Sequence, residues 1–191
     1  MAQRLPDERL RGAPVHLRER AHRDAAHHPH VGREQRAEVY NFYDYNIYFS
    51  DAAVSNGQVT YDTTAVGTTD PLTVTATVGT SVSSSKGLLA GEVHDCGDVR
   101  ISGAMVNTDV RAETDMFYFN SDETNPLPDL TASQNGTGTS QLGLFGALNY
   151  PPGVPIHISA VGLVGGQRKL VGEYTVQVFA GAVTCLSLRG R

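Results

Sequence analysis

The chain of 191 residues contains no tryptophan, only two cysteines and no long apolar run. A membrane-spanning helix needs about 18 or more consecutive apolar residues, so the sequence predicts no transmembrane segment. It also lacks the Gly-x-Ser-x-Gly, His-Glu-x-x-His, Cys-x-x-Cys and phosphate-binding-loop motifs, which mark common hydrolase, zinc, redox and nucleotide sites. These absences argue against an enzyme, and the sequence predicts no catalytic residue, no metal ligand and no cofactor.

The net charge of −5 is unevenly distributed. Residues 1–38 carry eight arginines and six acids, whereas the remaining residues carry seven basic and fourteen acidic side chains. Proteins that bind nucleic acid neutralise phosphates with clustered lysine and arginine. The acidic body of this chain therefore excludes nucleic acid as a partner.

Residues 1–38 are rich in arginine, histidine, alanine and proline and poor in large apolar residues. They contain no continuous apolar core of a secretory signal. Three interpretations stay open: a disordered basic tail, a spurious N-terminal segment, or a metal site at His27, His28 and His30. Clustered histidines bind metals only when a fold holds them, so we assign no function to this segment.

Residues 39–86 have a different, β-prone composition that begins with the aromatic stretch Val39–Phe49. Asn56-Gly57 is a tight-turn signal and predicts a hairpin with residues 58–61. Leu72–Val78 alternates apolar and hydroxyl residues, which predicts a half-buried strand, and residues 79–87 have the composition of a linker. Two interpretations remain: these strands add to the sheets of residues 87–191, or they are the end of a longer upstream domain.

Residues 87–191 contain seven short β-prone segments separated by turn-rich connections. They are Leu88–His94, Ala104–Val110, Met116–Phe119, Gly143–Leu148, Ile156–Leu163, Leu170–Phe179 and Val183–Leu188. This pattern is typical of an immunoglobulin-like or transthyretin-like sandwich. We therefore expect an all-β fold: a seven-stranded Greek-key β-sandwich, preceded by extra β-hairpin strands and a disordered N-terminal head, with no helix between the strands.

Alternation along the last two predicted strands assigns their faces. Tyr174, Val176 and Val178 share one face of their strand. Thr184, Leu186 and Leu188 share one face of the last strand, so Cys185 is expected on the opposite face. The polar loop 120–140 is the longest connection, and long loops on rigid sandwiches are common binding sites.

Residues 88–191 resemble a carboxypeptidase regulatory-like domain, a transthyretin-like module found in bacterial envelope proteins. The resemblance rests on a Gly-x-Val-x-Asp strand followed by Gly-Ala-x-Val, and on a Gly-x-Phe strand followed by Pro-Gly and a strand that ends in glycine. The matching residues are Gly91, Val93, Asp95, Gly103, Ala104, Val106, Gly143, Phe145, Leu148, Pro152, Gly153 and Gly162. The chain departs from the family at Gln141-Leu142-Gly143, where an Asp-Gly turn before the Phe strand is common, and in the long insertion 120–140. The resemblance implies a non-catalytic accessory or adhesion module.

Cys96 and Cys185 form a candidate disulfide. By alternation both follow the parity of outward-facing positions, and an even cysteine count in an envelope protein favours a bond. The alternative is two unrelated thiols, because the sequence gives no Cα–Cα distance.

The two histidines of the body suggest no catalytic or metal site. Intradiol dioxygenases, which share a transthyretin-like sandwich, bind iron through a Pro-x-His-x-His strand. Here that strand is Pro155–Ser159, and Ser159 occupies the place of the second histidine. His157 is therefore interpreted as an ordinary strand residue, and His94 as an isolated one.

Two weaker binding hypotheses follow from the loops. Oxygen-rich loops suit calcium, and the candidate ligands are Asp95, Asp98, Asp122, Glu123 and Asp129, with Asn120 and Asn125 nearby. The alternative is ordinary solvated acids. Tyr118, Phe119 and Tyr150 either flank a carbohydrate or peptide surface or pack in the core.

The sequence as a whole predicts a non-catalytic β-sandwich module of a bacterial secreted or envelope protein, with a binding, adhesion or structural role. Its partner is an unidentified protein or carbohydrate, and the sequence assigns no oligomeric state. The first alternative is an accessory domain fragment of a larger hydrolase or transporter. The second is a metal-dependent enzyme of the dioxygenase-like sandwich type.

Overall fold

The computed structural model describes residues 40–46, 54–55, 58–59 and 70–190. The expectations for residues 1–38, including His27, His28 and His30, lie outside this part of the chain. The elements are β1 (Asn41–Tyr45), β2 (Val54–Ser55), β3 (Gln58–Val59), α1 (Asp70–Val78), β4 (Gly87–His94), β5 (Met105–Thr108), β6 (Phe117–Phe119), β7 (Pro128–Asp129), α2 (Leu130–Asn135), β8 (Leu144–Tyr150), β9 (Pro155–Val164), β10 (Gln167–Gln177) and β11 (Ala182–Arg189).

The strands form two main sheets, so the all-β expectation is confirmed. One sheet has the order β1-β11-β4-β8-β6-β7 and the other has the order β10-β9-β5. β1 and β4 both run parallel to β11, which lies between them, and the remaining pairs are antiparallel. Each of the seven predicted strands overlaps an observed strand, with ends that differ by up to three residues.

The main core lies between the two sheets. The larger sheet contributes residues such as Leu89, Phe145 and Leu186, and the smaller sheet contributes residues such as Ile156 and Ile158, all at most 2% exposed. These residues alternate with outward-facing ones along their strands, as a pleated strand requires. The predicted faces of the last strand are confirmed, since Thr184, Leu186 and Leu188 are buried and Cys185 belongs to the opposite face.

A second apolar cluster covers the outer face of the larger sheet. Its buried strand residues are Leu88, Phe117, Leu148 and Val183. Val74 and Val78 of α1 pack against this cluster. Phe42 of β1 and Val82 also contact this cluster. The segment before residue 87 therefore contributes both an edge strand and a covering helix to the sandwich.

The predicted strand at residues 72–78 is wrong, because this segment is the helix α1. Asp70-Pro71 begins it, and proline fits the first helical turn, where its missing N–H has no helical partner. Gly79 ends it at a φ of 76°, with its N–H donating to the carbonyl of Thr75 at 2.8 Å. The alternating pattern also places Val74 and Val78 four residues apart, the spacing of one helix face.

The expectation that no helix interrupts the strands is also wrong. α2 lies within the long polar loop. The carboxylate of Asp129 caps it by accepting from the N–H groups of Thr131 and Ala132 at 2.9 and 3.1 Å, and Gly136 ends it at a φ of 62°. Aspartate before a short segment and glycine after it are the sequence signals of such a helix.

The predicted linker is irregular but anchored to β8. The side-chain amide of Asn149 donates to the carbonyl of Ser81 at 2.9 Å and accepts from the N–H of Ser83 at 2.9 Å. The predicted hairpin upstream is confirmed, since Val54 pairs with Val59 in antiparallel fashion; its turn residues lie outside the described ranges. Within those ranges, no helix is long and apolar enough to cross a membrane.

Candidate functional site

The principal cluster of ionisable side chains lies where the parallel strands β4 and β11 end. Their register pairs His94 with Arg189. A tight turn follows His94, because the carboxylate of Asp95 accepts from the N–H groups of Gly97 and Val99 at 2.8 and 2.9 Å. Asp98 adopts a φ of 64° in this turn, a left-handed conformation that aspartate tolerates better than most residues.

Five side chains make up what we term the His94 cluster. They are Glu92, His94, Asp98, Arg100 and Arg189. Glu92 and His94 alternate onto the same face of β4, and the turn returns Asp98 and Arg100 to them. His94 was expected to be isolated, and the structure corrects this: only 10% of its side chain is exposed, and it lies between two carboxylates.

Both ring nitrogens of His94 have carboxylate partners. Nε2 lies 2.9 Å from a Glu92 oxygen, and Nδ1 lies 2.8 Å from an Asp98 oxygen. Arg100 donates to the same Glu92 oxygen at 3.0 Å, and Arg189 donates to Asp98. The arrangement suits an imidazolium ion that donates both N–H groups, flanked by two guanidinium ions.

The electrostatics of the cluster favour its charged forms. The hydrogen bond to Glu92 raises the pKa of His94 against the opposing effect of burial. The same bond from His94, aided by Arg100, lowers the pKa of Glu92. At Asp98 desolvation acts to raise the pKa, but the hydrogen bonds and charges of Arg189 and His94 together lower it. The three groups with shifted pKa values, Glu92, His94 and Asp98, are therefore charged over a common pH range.

This geometry connects the turn after β4 to the ends of β4 and β11. A histidine that acts as a general base or a metal ligand needs a nitrogen lone pair, and both nitrogens of His94 already face carboxylates. A cleft of about 290 Å³ opens beside the cluster. Its lining residues are Asp95, Cys96, Gly97, Asp98, Arg189 and Gly190.

The four aspartates among the candidate calcium ligands have local structural roles. Asp95 holds the turn after β4, Asp98 belongs to the His94 cluster and Asp129 caps α2. Asp122 accepts from the N–H and hydroxyl of Thr124 at 2.9 and 2.7 Å. In the described ranges, no group of three or more histidine, cysteine, aspartate or glutamate side chains is arranged to hold a metal ion.

The candidate aromatic surface is largely part of the core. Tyr118 and Tyr150 are at most 2% exposed. The Tyr118 hydroxyl accepts from the N–H of Val106 at 3.0 Å, and the Tyr150 hydroxyl lies 2.9 Å from that of Thr108. Phe119 packs against the second apolar cluster. These contacts favour the core-packing alternative.

His157 is an exposed residue of β9. Its Nδ1 lies 3.4 Å from the Thr175 hydroxyl and its Nε2 lies 3.7 Å from the Glu173 carboxylate, both across the pair with β10. The structure thus places it as the strand residue that the sequence predicted. Within the described ranges, the contacts of the His157 side chain are with Thr175 and Glu173 and involve no residue of the His94 cluster.

Both cysteines are free in the structure. Cys185 is opposite Ala90 in the register of β11 and β4, whereas Cys96 lies in the turn beyond the end of β4. The end of β4 at His94 is four positions beyond Ala90, which corresponds to roughly 13 Å along an extended strand, and Cys96 follows that end. Disulfides need Cα atoms less than about 7 Å apart. The structure leaves both thiols unbonded in this register, and the disulfide stays a prediction.

Comparison of the chain with protein-family models, with curated proteins and with solved structures found no match.

Proposed function

We propose that this chain is a non-catalytic β-sandwich module of a bacterial secreted or envelope protein, with a binding, adhesion or structural role. The proposal includes the Greek-key, transthyretin-like or immunoglobulin-like type for residues 87–191, in which the two-residue strand β7 adds to the seven predicted strands. The observation that carries it is the paired state of His94. Each ring nitrogen of His94 is hydrogen-bonded to a carboxylate, Nε2 to Glu92 and Nδ1 to Asp98. The cluster therefore connects a turn to two strand ends and presents no unpaired imidazole nitrogen.

The glycines of the family-like motifs support the proposed kinship with carboxypeptidase regulatory-like domains. A Cβ atom at Gly91 would lie 2.4 Å from the Leu186 carbonyl oxygen and 2.6 Å from the Phe145 ring. Gly143 and Gly153 adopt φ values of 68° and 77°, where side chains are strained. Each of these positions requires glycine for backbone or packing reasons, as expected of a motif that specifies a fold.

The test of the non-catalytic proposal is a turnover panel with ester, phosphate, glycoside and peptide substrates. The full chain is compared with His94→Gln, and with Arg111→Gln as a control, because Arg111 lies in an exposed pair with Asp115. We expect no turnover above the protein-free blank for any of the three. Turnover by the parent chain that the folded His94→Gln variant loses would overturn the proposal.

The compartment is tested separately by fractionating bacterial cells that express the tagged full-length gene. We expect the protein in the envelope or medium fraction. Recovery of the protein entirely with cytoplasmic markers would contradict the secreted or envelope assignment. It would not bear on the non-catalytic assignment, which the turnover panel tests.

A further inference from the structure

The β9–β10 hairpin ends in eight consecutive exposed residues, 163–170, which we term the hairpin tip. Gly165 and Gly166 form its two-residue turn with φ values of 62° and 77°, and nothing lies within 4 Å of a Cβ built at either. The tip therefore extends into open space. It nonetheless carries large apolar side chains: Leu163 and Leu170 are 57% and 56% exposed, and Val164 is 37% exposed.

The hairpin tip also carries two cations, Arg168 and Lys169. The other basic residues of the described ranges each have a carboxylate within 4.0 Å; these pairs are Lys86–Glu113, Arg100–Glu92, Arg111–Asp115 and Arg189–Asp98. Arg168 and Lys169, in contrast, have no carboxylate of the described residues within 4.0 Å. The tip is thus a local positive site on a chain whose net charge is negative.

Strand pairing distributes these side chains over both faces of the ribbon. Leu163 pairs with Arg168 and Val161 pairs with Leu170, so these four side chains share one face. Val164 and Lys169 lie on the other face. Each face therefore combines an apolar side chain with a cation, and a partner that covers only one face leaves the other exposed.

We propose that the hairpin tip docks into the interface of an anionic lipid bilayer. Leu163, Val164 and Leu170 enter the boundary between headgroups and acyl chains, and Arg168 and Lys169 contact lipid phosphates. A bilayer surrounds both faces of a narrow ribbon, whereas a stable protein interface takes about 20–30 residues from each partner. This inference goes beyond the proposed module role and does not depend on it.

The first experiment measures co-flotation of the full chain with phosphatidylcholine vesicles that contain or lack phosphatidylglycerol. We expect binding only to the anionic vesicles, at low ionic strength. The double variant Leu163→Asn/Leu170→Asn is expected to reduce the partition coefficient about tenfold or more. The matched control is Leu72→Asn/Val99→Asn, which changes two apolar residues elsewhere that are somewhat more exposed, at 66% and 62%. It is expected to bind like the parent chain.

The second experiment separates the tip cations from net charge. Arg168→Gln/Lys169→Gln is compared with Lys86→Gln/Arg111→Gln, which changes the net charge equally but outside the tip. We expect about a tenfold loss for the tip variant and little change for the control. Equal losses in both variants, or no binding of the parent chain, would overturn the proposal. Retention of the parent chain on poly-glutamate without vesicle binding would also overturn the proposal, because it would indicate that the tip binds an acidic protein.

Discussion

At the scale of single residues, the pH dependence of stability tests the His94 cluster. The raised pKa of His94 means that its contribution is fully present below the unfolded value of 6.5 and is lost as the pH rises through the folded pKa. The lowered pKa of Glu92 means that its contribution is present above 4.5 and is lost at lower pH. The cluster therefore stabilises the fold most between pH 4.5 and 6.5.

We expect His94→Gln to lower the free energy of unfolding by about 1–2 kcal/mol near pH 5.5 and by less than half of that at pH 9. Urea denaturation at several pH values measures the difference. His157→Gln is the matched control because it makes the same substitution at an exposed strand position, and it is expected to change stability little. A His94 difference that is constant from pH 5.5 to 9 would show that the imidazolium charge is not involved.

The two thiols are expected to react at very different rates. Burial, together with the nearby Asp44 and Glu92 carboxylates, raises the pKa of Cys185 to about 11, so its reactive thiolate is scarce at pH 8. Cys96 is exposed. A colorimetric disulfide reagent is expected to titrate one thiol rapidly in the native protein and two in denaturant, and Cys96→Ser is expected to lose the rapid reaction. No reactive thiol in the non-reduced, denatured protein would instead support the disulfide.

At the scale of elements, Asn149 connects β8 to the segment that precedes β4. It is 2% exposed, adopts a φ of 64°, and bonds Ser81, Ser83 and the Glu113 carboxylate through its side chain. Asn149→Gly keeps this φ accessible while removing all three bonds. We expect a loss of about 2–3 kcal/mol in unfolding free energy and faster tryptic cleavage at Lys86.

The same substitution at the exposed Asn107 in β5 controls for placing glycine in a strand, which costs roughly 0.5–1 kcal/mol. If Asn149→Gly and Asn107→Gly have equal unfolding free energies and equal cleavage rates, the connection to Ser81 and Ser83 does not stabilise the fold.

The strands were more predictable than the helices for a physical reason. Alternation of buried and exposed residues dominates the strands of a two-sided sheet, as in β11. In α1 the same alternation also contains Val74 and Val78 at the i,i+4 spacing of a helix face. Whether such a segment forms a strand or a helix then depends on Pro71 and Gly79 at its ends. α2 is too short for a periodic signal, so only its caps at Asp129 and Gly136 predict it.

At the scale of the whole molecule, the His94 cluster could be predicted only in part. Glu92, His94, Asp98 and Arg100 are close in sequence, and alternation could have placed the first two on one face. Arg189 lies 91 residues from Asp98, and its position follows from the parallel pairing of β4 with β11. A single sequence carries no signal for that register, because every strand in a sheet has the same period of two.

We predict that residues 40–79 are an integral part of the sandwich. They supply β1, which pairs along the edge of β11, and Phe42, Val74 and Val78, which cover the outer face of the larger sheet. A chain of residues 40–191 is expected to exceed one of residues 80–191 in unfolding free energy by about 3–5 kcal/mol. In the full chain, Val78→Ser should destabilise far more than Leu72→Ser on the exposed face of α1. If the two chains are equally stable and the two substitutions have equal effects, residues 40–79 do not stabilise the sandwich and belong to a neighbouring domain.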